Sequence, residues 1–316
     1  MKAKFVFSVA LVGVLVFGGL ACKKDETEKV IFFQDGSKYS GEVQNGVPYG
    51  NGTFIWWDGS WYEGQFQSGL RHGQGVQFDR FGHKYYEGEH YQDEIHGEGT
   101  LYWDNGHVNY EGQWDHGKRH GYGILYDSNG VKSYEGYWQN NMKHGVGTLY
   151  NTLGLKAYQG DWINDKQSGV GTSYWGDGVT LSYQGEWKDG LKYGYGKSYF
   201  ETGELEYDGN WQNSVHHGEG VLYWSAGHIA YDGQWANGAI NGDGILYDEN
   251  GVKSYEGNWQ NHVKHGEGIL YWGDGITKAY QGGWKDGQRS GYGKSYDDKG
   301  EIIYDGMWAY DIPVGG

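Results

Sequence analysis

Six of the thirteen histidines in this 316-residue chain open one short phrase, His-Gly-x-Gly: His72, His96, His120, His144, His217 and His265. Recurrent imidazole is the ligand type that Zn²⁺ and its neighbours favour. The spacing argues against a shared ion. Consecutive members lie at least 24 residues apart, which stacked hairpins convert to about 10 Å, whereas zinc ligands sit about 2 Å from the metal. The adjacent pair His216-His217 is too sparse for a site. These histidines are expected to cap or pack at turns, with no metal and no cofactor.

Other chemical motifs fail on position. Asp127-Ser128-Asn129-Gly130 hints at a calcium loop, but its glycine is the fourth residue where the EF-hand needs the sixth. Gly194-Tyr195-Gly196-Lys197-Ser198 ends like a phosphate-binding loop, yet Leu191 stands where the first glycine belongs. The chain holds no Gly-x-Ser-x-Gly and no His-Glu-x-x-His, and Cys22 is its single cysteine. Carboxylates recur evenly rather than as a close pair in opposed environments, the arrangement acid–base catalysis uses. The expectation is a protein that is not an enzyme.

Net charge is −16 with a pI of about 5.2. Removal of residues 1–21, with Lys2 and Lys4, takes it to −18. Such a field disfavours nucleic acid and anionic phospholipid and favours basic partners. The 60 glycines suggest disorder, but 16 Trp and 30 Tyr carry enough surface to offset chain entropy. A thin, repetitive structure with an aromatic core satisfies both.

The N-terminus reads as an address. Lys2 and Lys4 precede an apolar run from Phe5 to Leu20, which ends in Gly19-Leu20-Ala21-Cys22. Residues 1–21 fit a signal peptide. The last four residues resemble the lipobox of bacterial lipoproteins, with Gly19 where leucine is usual. The resemblance implies that Cys22 is acylated, that 22–29 form a short tether, and that the exported protein is held in the bacterial envelope, at the outer membrane, by its acyl chains.

The rest of the chain is one repeat. Tyr-x-Gly recurs at Tyr39, Tyr62, Tyr86, Tyr110, Tyr134, Tyr158, Tyr183, Tyr207, Tyr231, Tyr255, Tyr280 and Tyr304, at spacings of 23 to 25. Counted from Tyr134, Gly136 is at +2, Trp138 at +4, His144 at +10, Gly145 at +11, Gly147 at +13 and Gly154 at +20. The alternating stretch Tyr134–Trp138 predicts a strand, Gln139–Lys143 a polar turn and His144–Tyr150 a return strand. Tyr, Gly and Trp at even offsets share a face. Tyr134-x-Gly136-x-Trp138 followed by His144-Gly145-x-Gly147 resembles the MORN repeat. The early repeats depart from it, with Val43, Phe66 and His90 in the Trp place. The expected fold is all-β: an elongated single-layer antiparallel sheet of about twelve tandem MORN-type hairpins, without helix beyond the signal peptide. Residues 30–38 read as an N-terminal half-repeat cap and 39–316 as the array, whose last strand lacks its mate.

Such a chain has residues for presenting a surface and none left over for a catalytic domain. The first functional reading is a non-catalytic, envelope-anchored scaffold that binds another protein. The +1 places carry Glu63, Glu87, Glu111, Glu135, Asp208, Asp232 and Glu256, an expected solvated acidic stripe suited to a basic partner. Self-association through the unpaired last strand, at Trp308 and Tyr310, is another use of the same architecture. The alternative reading is a binder of cell-wall or surface glycan, with Tyr137, Trp103, Trp224 and Trp272 stacking on sugar rings. Phospholipid binding ranks third, because the charge opposes it.

Overall fold

The computed structural model describes residues 28–315. The expected signal peptide, the Cys22 lipidation site and tether residues 22–27 lie outside the described residues. Among the described residues there are twenty-five strands, β1 to β25 in chain order, and no helix. The chain divides into two compact units, one ending at His144 and the other beginning at Gly145. Within each unit every strand pairs antiparallel with its neighbour in sequence, making a single-layer sheet.

In the first unit, β1 (Glu28–Phe32) pairs with β2 (Lys38–Gln44). It therefore begins in the stretch read as tether, two residues before the expected cap. The core repeat is clear in β8 (Val108–Asp115) and β9 (Lys118–Tyr126). Gly99, Gly112, Gly123 and Gly136 are successive cross-strand partners, so a row of glycines crosses the strands. The Tyr110 ring lies over that row. A Cβ on Gly123 would meet the Tyr110 hydroxyl at 2.1 Å, and one on Gly112 would meet the Gly123 backbone at 2.4 Å. Glycine without a side chain leaves room there for a ring against backbone. The ring that fills it belongs to the same hairpin, and its hydroxyl donates to the Gln113 carbonyl at 3.0 Å.

Tyr110 also meets Trp114 edge-on at 4.9 Å and Trp138 of the next repeat at 5.7 Å. Each indole donates backward: Trp114 Nε1 reaches the Gly99 carbonyl at 3.1 Å and Trp138 Nε1 the Gly123 carbonyl at 3.2 Å. A Tyr between two Trp rings thus joins consecutive hairpins. Edge-to-face pairs contribute about 0.5–1.5 kcal/mol each beyond burial. His90 takes the Trp place in its repeat and is buried, bonded to the Gly88 carbonyl and to Gln77.

The second unit repeats the scheme. In β18 (Ile229–Ala236) and β19 (Ala239–Tyr247), Tyr231 is fully buried, and Trp235 Nε1 donates to the Gly220 carbonyl at 3.1 Å. One core there runs from Tyr183 to Trp308, with Leu222, Leu246 and Leu270 packed on it.

The hairpin turns are tighter than the sequence predicted. Instead of five residues, Gln139–Lys143, the turn is Asn140-Asn141, with φ of 51° and 70°. The strands on either side, β10 (Lys132–Gln139) and β11 (Met142–Tyr150), take in the other three. Two consecutive positive-φ residues mark a type I′ turn, whose twist matches that of the strands. The last repeat is also corrected. β24 (Ile302–Ala309) pairs with the three-residue β25 (Ile312–Val314), with Trp308 opposite Pro313, so it does not lack its mate.

Candidate binding surface

Alternation puts two chemistries on opposite faces of each sheet. The aromatic face carries Tyr, Trp and, opposite each Trp, the residue at +9. That residue is often a cation. Arg119 lies 4.2 Å from the Trp138 ring centroid and 5.8 Å from that of Tyr110. In the second unit, Lys192 covers Tyr183 and Trp211, Lys264 covers Tyr255 and Trp284, and Arg289 covers Trp308 at 4.2 Å. Burial pulls the Lys192 and Lys264 ammonium groups below the usual lysine range. His216 does the same job by stacking, 3.7 Å from the Tyr207 ring and nearly parallel to it. These caps were not foreseen, because +9 was read as part of a polar turn. They cover the aromatic face, where the Tyr and Trp of the motif are buried apart from the half-buried Trp187 and Tyr304.

The opposite face carries the +1 carboxylates. The sequence predicted a solvated stripe, and the structure shows most of them tied into a ladder. Glu87 accepts from Lys84 Nζ at 2.7 Å and from Tyr102 at 3.3 Å. Glu111 accepts from Tyr126 at 2.5 Å. Glu135 accepts from Lys132 and Tyr122, each at 2.7 Å. Glu63 accepts from Trp61 Nε1 at 2.9 Å. In the second unit Asp208 pairs with Lys197 at 2.8 Å and with Tyr195. Glu256 takes Lys253 at 2.9 Å and Tyr271 at 3.1 Å, whereas Asp232 is exposed. The stripe stays open to solvent, and for Glu87, Glu111, Glu135 and Glu256 the bonds have a simple cause: a tyrosine at +16 or a lysine at −2 lies on the same face, within reach of the carboxylate. Hydrogen bonding to Lys84 holds Glu87 below the usual carboxylate range, and Lys253 does the same for Glu256. Burial, then the bond to Glu111, pushes the Tyr126 hydroxyl well up.

The rings expected to meet sugars do not share one surface. Tyr137 is on the carboxylate face, 52% exposed, with its ring 5.7 Å from that of Tyr122. Trp103, Trp224 and Trp272 sit at the turns that join hairpins. There Trp103 Nε1 donates to the Tyr126 carbonyl at 3.3 Å, while Trp224 Nε1 is buried without a partner. Trp272 is 42% exposed. Of the two residues expected at a self-association edge, Trp308 is 5% exposed and donates to the Gly293 carbonyl, so it offers no edge. Tyr310 is the first residue of the last type I′ turn and is 79% exposed.

A model of the MORN repeat matches eleven stretches of the chain: 39–61, 62–78, 86–108, 110–132, 134–152, 158–180, 183–204, 207–229, 231–253, 255–277 and 280–301. No match is found among curated proteins.

Proposed function

Since this chain belongs to the MORN-repeat family, we propose that it is a non-catalytic scaffold of the bacterial envelope whose carboxylate face binds another protein. MORN repeats are commonly protein- or membrane-interaction modules and form a scaffold family that is not typically catalytic. The observation that carries the proposal is the asymmetry of the sheet. Caps cover most of the aromatic face. The other face holds Glu87, Glu111 and Glu135 in fixed geometry, each at the head of a Lys or Tyr hydrogen bond. Carboxylates held in place lose little freedom on meeting a basic partner. Their net charge favours its approach. Acylation of Cys22 would keep this face at the membrane without spending it on lipid.

A second reading has one observation of its own. A shallow groove of about 460 Å³ on the carboxylate face is lined by Glu87, Glu98, Thr100, Glu111, Tyr122 and Ile124. Acids beside a ring are a lining that a glycan uses.

The test is capture from an envelope extract by the immobilised chain and by two variants. Charge reversal in E111K/E135K removes capture, and Trp103→Ala at the turn edge leaves it intact. Undiminished capture by E111K/E135K would take the carboxylate face out of the account.

A further inference from the structure

At the turn edge of the first unit, side chains from two hairpins converge. His96 is the third residue of β7 (Glu94–Tyr102), Asp115 ends β8, and His116 opens the turn that follows. His116 Nδ1 lies 2.6 Å from Asp115 Oδ1, and His96 Nδ1 lies 3.6 Å from the same oxygen. The two imidazole rings are 5.2 Å apart at 77°. One ligating atom from each of the three residues falls within 4.8 Å of the others. His96 Nδ1 is shielded from solvent and has no hydrogen-bond partner, although its ring is partly exposed. A shielded ring nitrogen without a partner is costly.

We propose that His96, Asp115 and His116 form a binding site for a divalent transition-metal ion of the Zn²⁺ class. Two imidazole nitrogens and a carboxylate oxygen are a donor set that suits Zn²⁺, Ni²⁺ or Cu²⁺ and not Mg²⁺ or Ca²⁺. Metal bonds of about 2.0–2.1 Å in a tetrahedron set ligand atoms about 3.3 Å apart. The 3.6 Å separation is already close to that edge. The 2.6 Å contact is a hydrogen bond that opens when the ion replaces the shared proton. The ion also gives the unpartnered His96 nitrogen something to bind. The site faces solvent, so water completes the coordination.

The arrangement is particular to this repeat. His120 is followed one repeat on by Asn140-Asn141, His217 by Asn237-Gly238 and His265 by Asp286-Gly287. None of those turns brings a second imidazole with a carboxylate. Comparison of like places with like, 24 residues apart, hid the site. Its spacing is 19 and 20 residues, from a return strand to the next turn.

Equilibrium dialysis of the untagged full chain against Zn²⁺ tests it, with the visible absorption of bound Co²⁺ as a second readout. The proposal expects one ion per chain at the tightest site. His96→Gln and His116→Asn each weaken it roughly 10-fold or more and dim the Co²⁺ bands, because even groups behind the ligands are worth that much. His265→Gln leaves both readouts unchanged. Asparagine tolerates the φ of 46° at position 116, so the turn survives the change, and far-ultraviolet circular dichroism checks it. Absence of uptake, or affinity that is the same in wild type and both ligand variants, overturns the proposal. So does equal loss in His265→Gln.

Discussion

The residues that best report on the fold are two histidines the motif does not ask for. His90 stands in a Trp place and His216 stacks on Tyr207, and burial pushes both down to about 4. Lys192 adds to the effect at His216, and Arg71 at His90. Both rings are neutral in the fold at pH 7. As pH falls below 6.5 the unfolded chain takes up these protons while the folded chain does not until about 4. Stability is therefore full above 6.5 and falls progressively from 6.5 towards 4. Thermal midpoints measured between pH 6.5 and 5, above the carboxylate range, should drop with pH. The double variant His90→Phe/His216→Phe should flatten that slope; an unchanged slope places the protons elsewhere. Gly244 is a second probe. A Cβ there would meet the Tyr231 hydroxyl at 2.1 Å, so Gly244→Ala should cost about 1–3 kcal/mol or more in denaturant unfolding, and a neutral result would contradict the ring-on-glycine packing. The Tyr, Gly and Trp places were legible in the sequence because each recurs in phase. The role of His216 was not, since it depends on which residue lies across the strand.

At the scale of the hairpin, the strands and their order followed from alternation and the constant period, and the turns did not. Five residues, four of them polar, look like a loop, yet only two leave the ladder. The difference lies in φ, which Asn, Asp and Gly disguise because they serve loops and type I′ turns alike. Asn237, at φ 51°, is such a residue. Asn237→Ala should cost about 1–2 kcal/mol, the usual penalty for a side chain forced left-handed. Equal stability would mean that the turn relaxes to another type. The carboxylate ladder is also a property of the hairpin. Glu111 and Tyr126 are 15 residues apart, and only the register that pairs β8 with β9 shows that they touch. A stripe read along the sequence shows its carboxylates but not their bonds for this reason.

Within each compact unit each repeat buries its rings against the next, so stability there is a sum over neighbours and no single site dominates it. That is why composition and period were enough to fix the fold class, while the partner was not legible: the exposed residues are set by what they bind, and the repeat constrains only what is buried. The proposed function turns on the array presenting a surface to a protein. Capture from an envelope extract by the immobilised chain, with and without prior protease digestion of the extract, tests it most directly. Digestion is expected to abolish capture. Capture that survives digestion would contradict it and move the ligand to glycan or lipid.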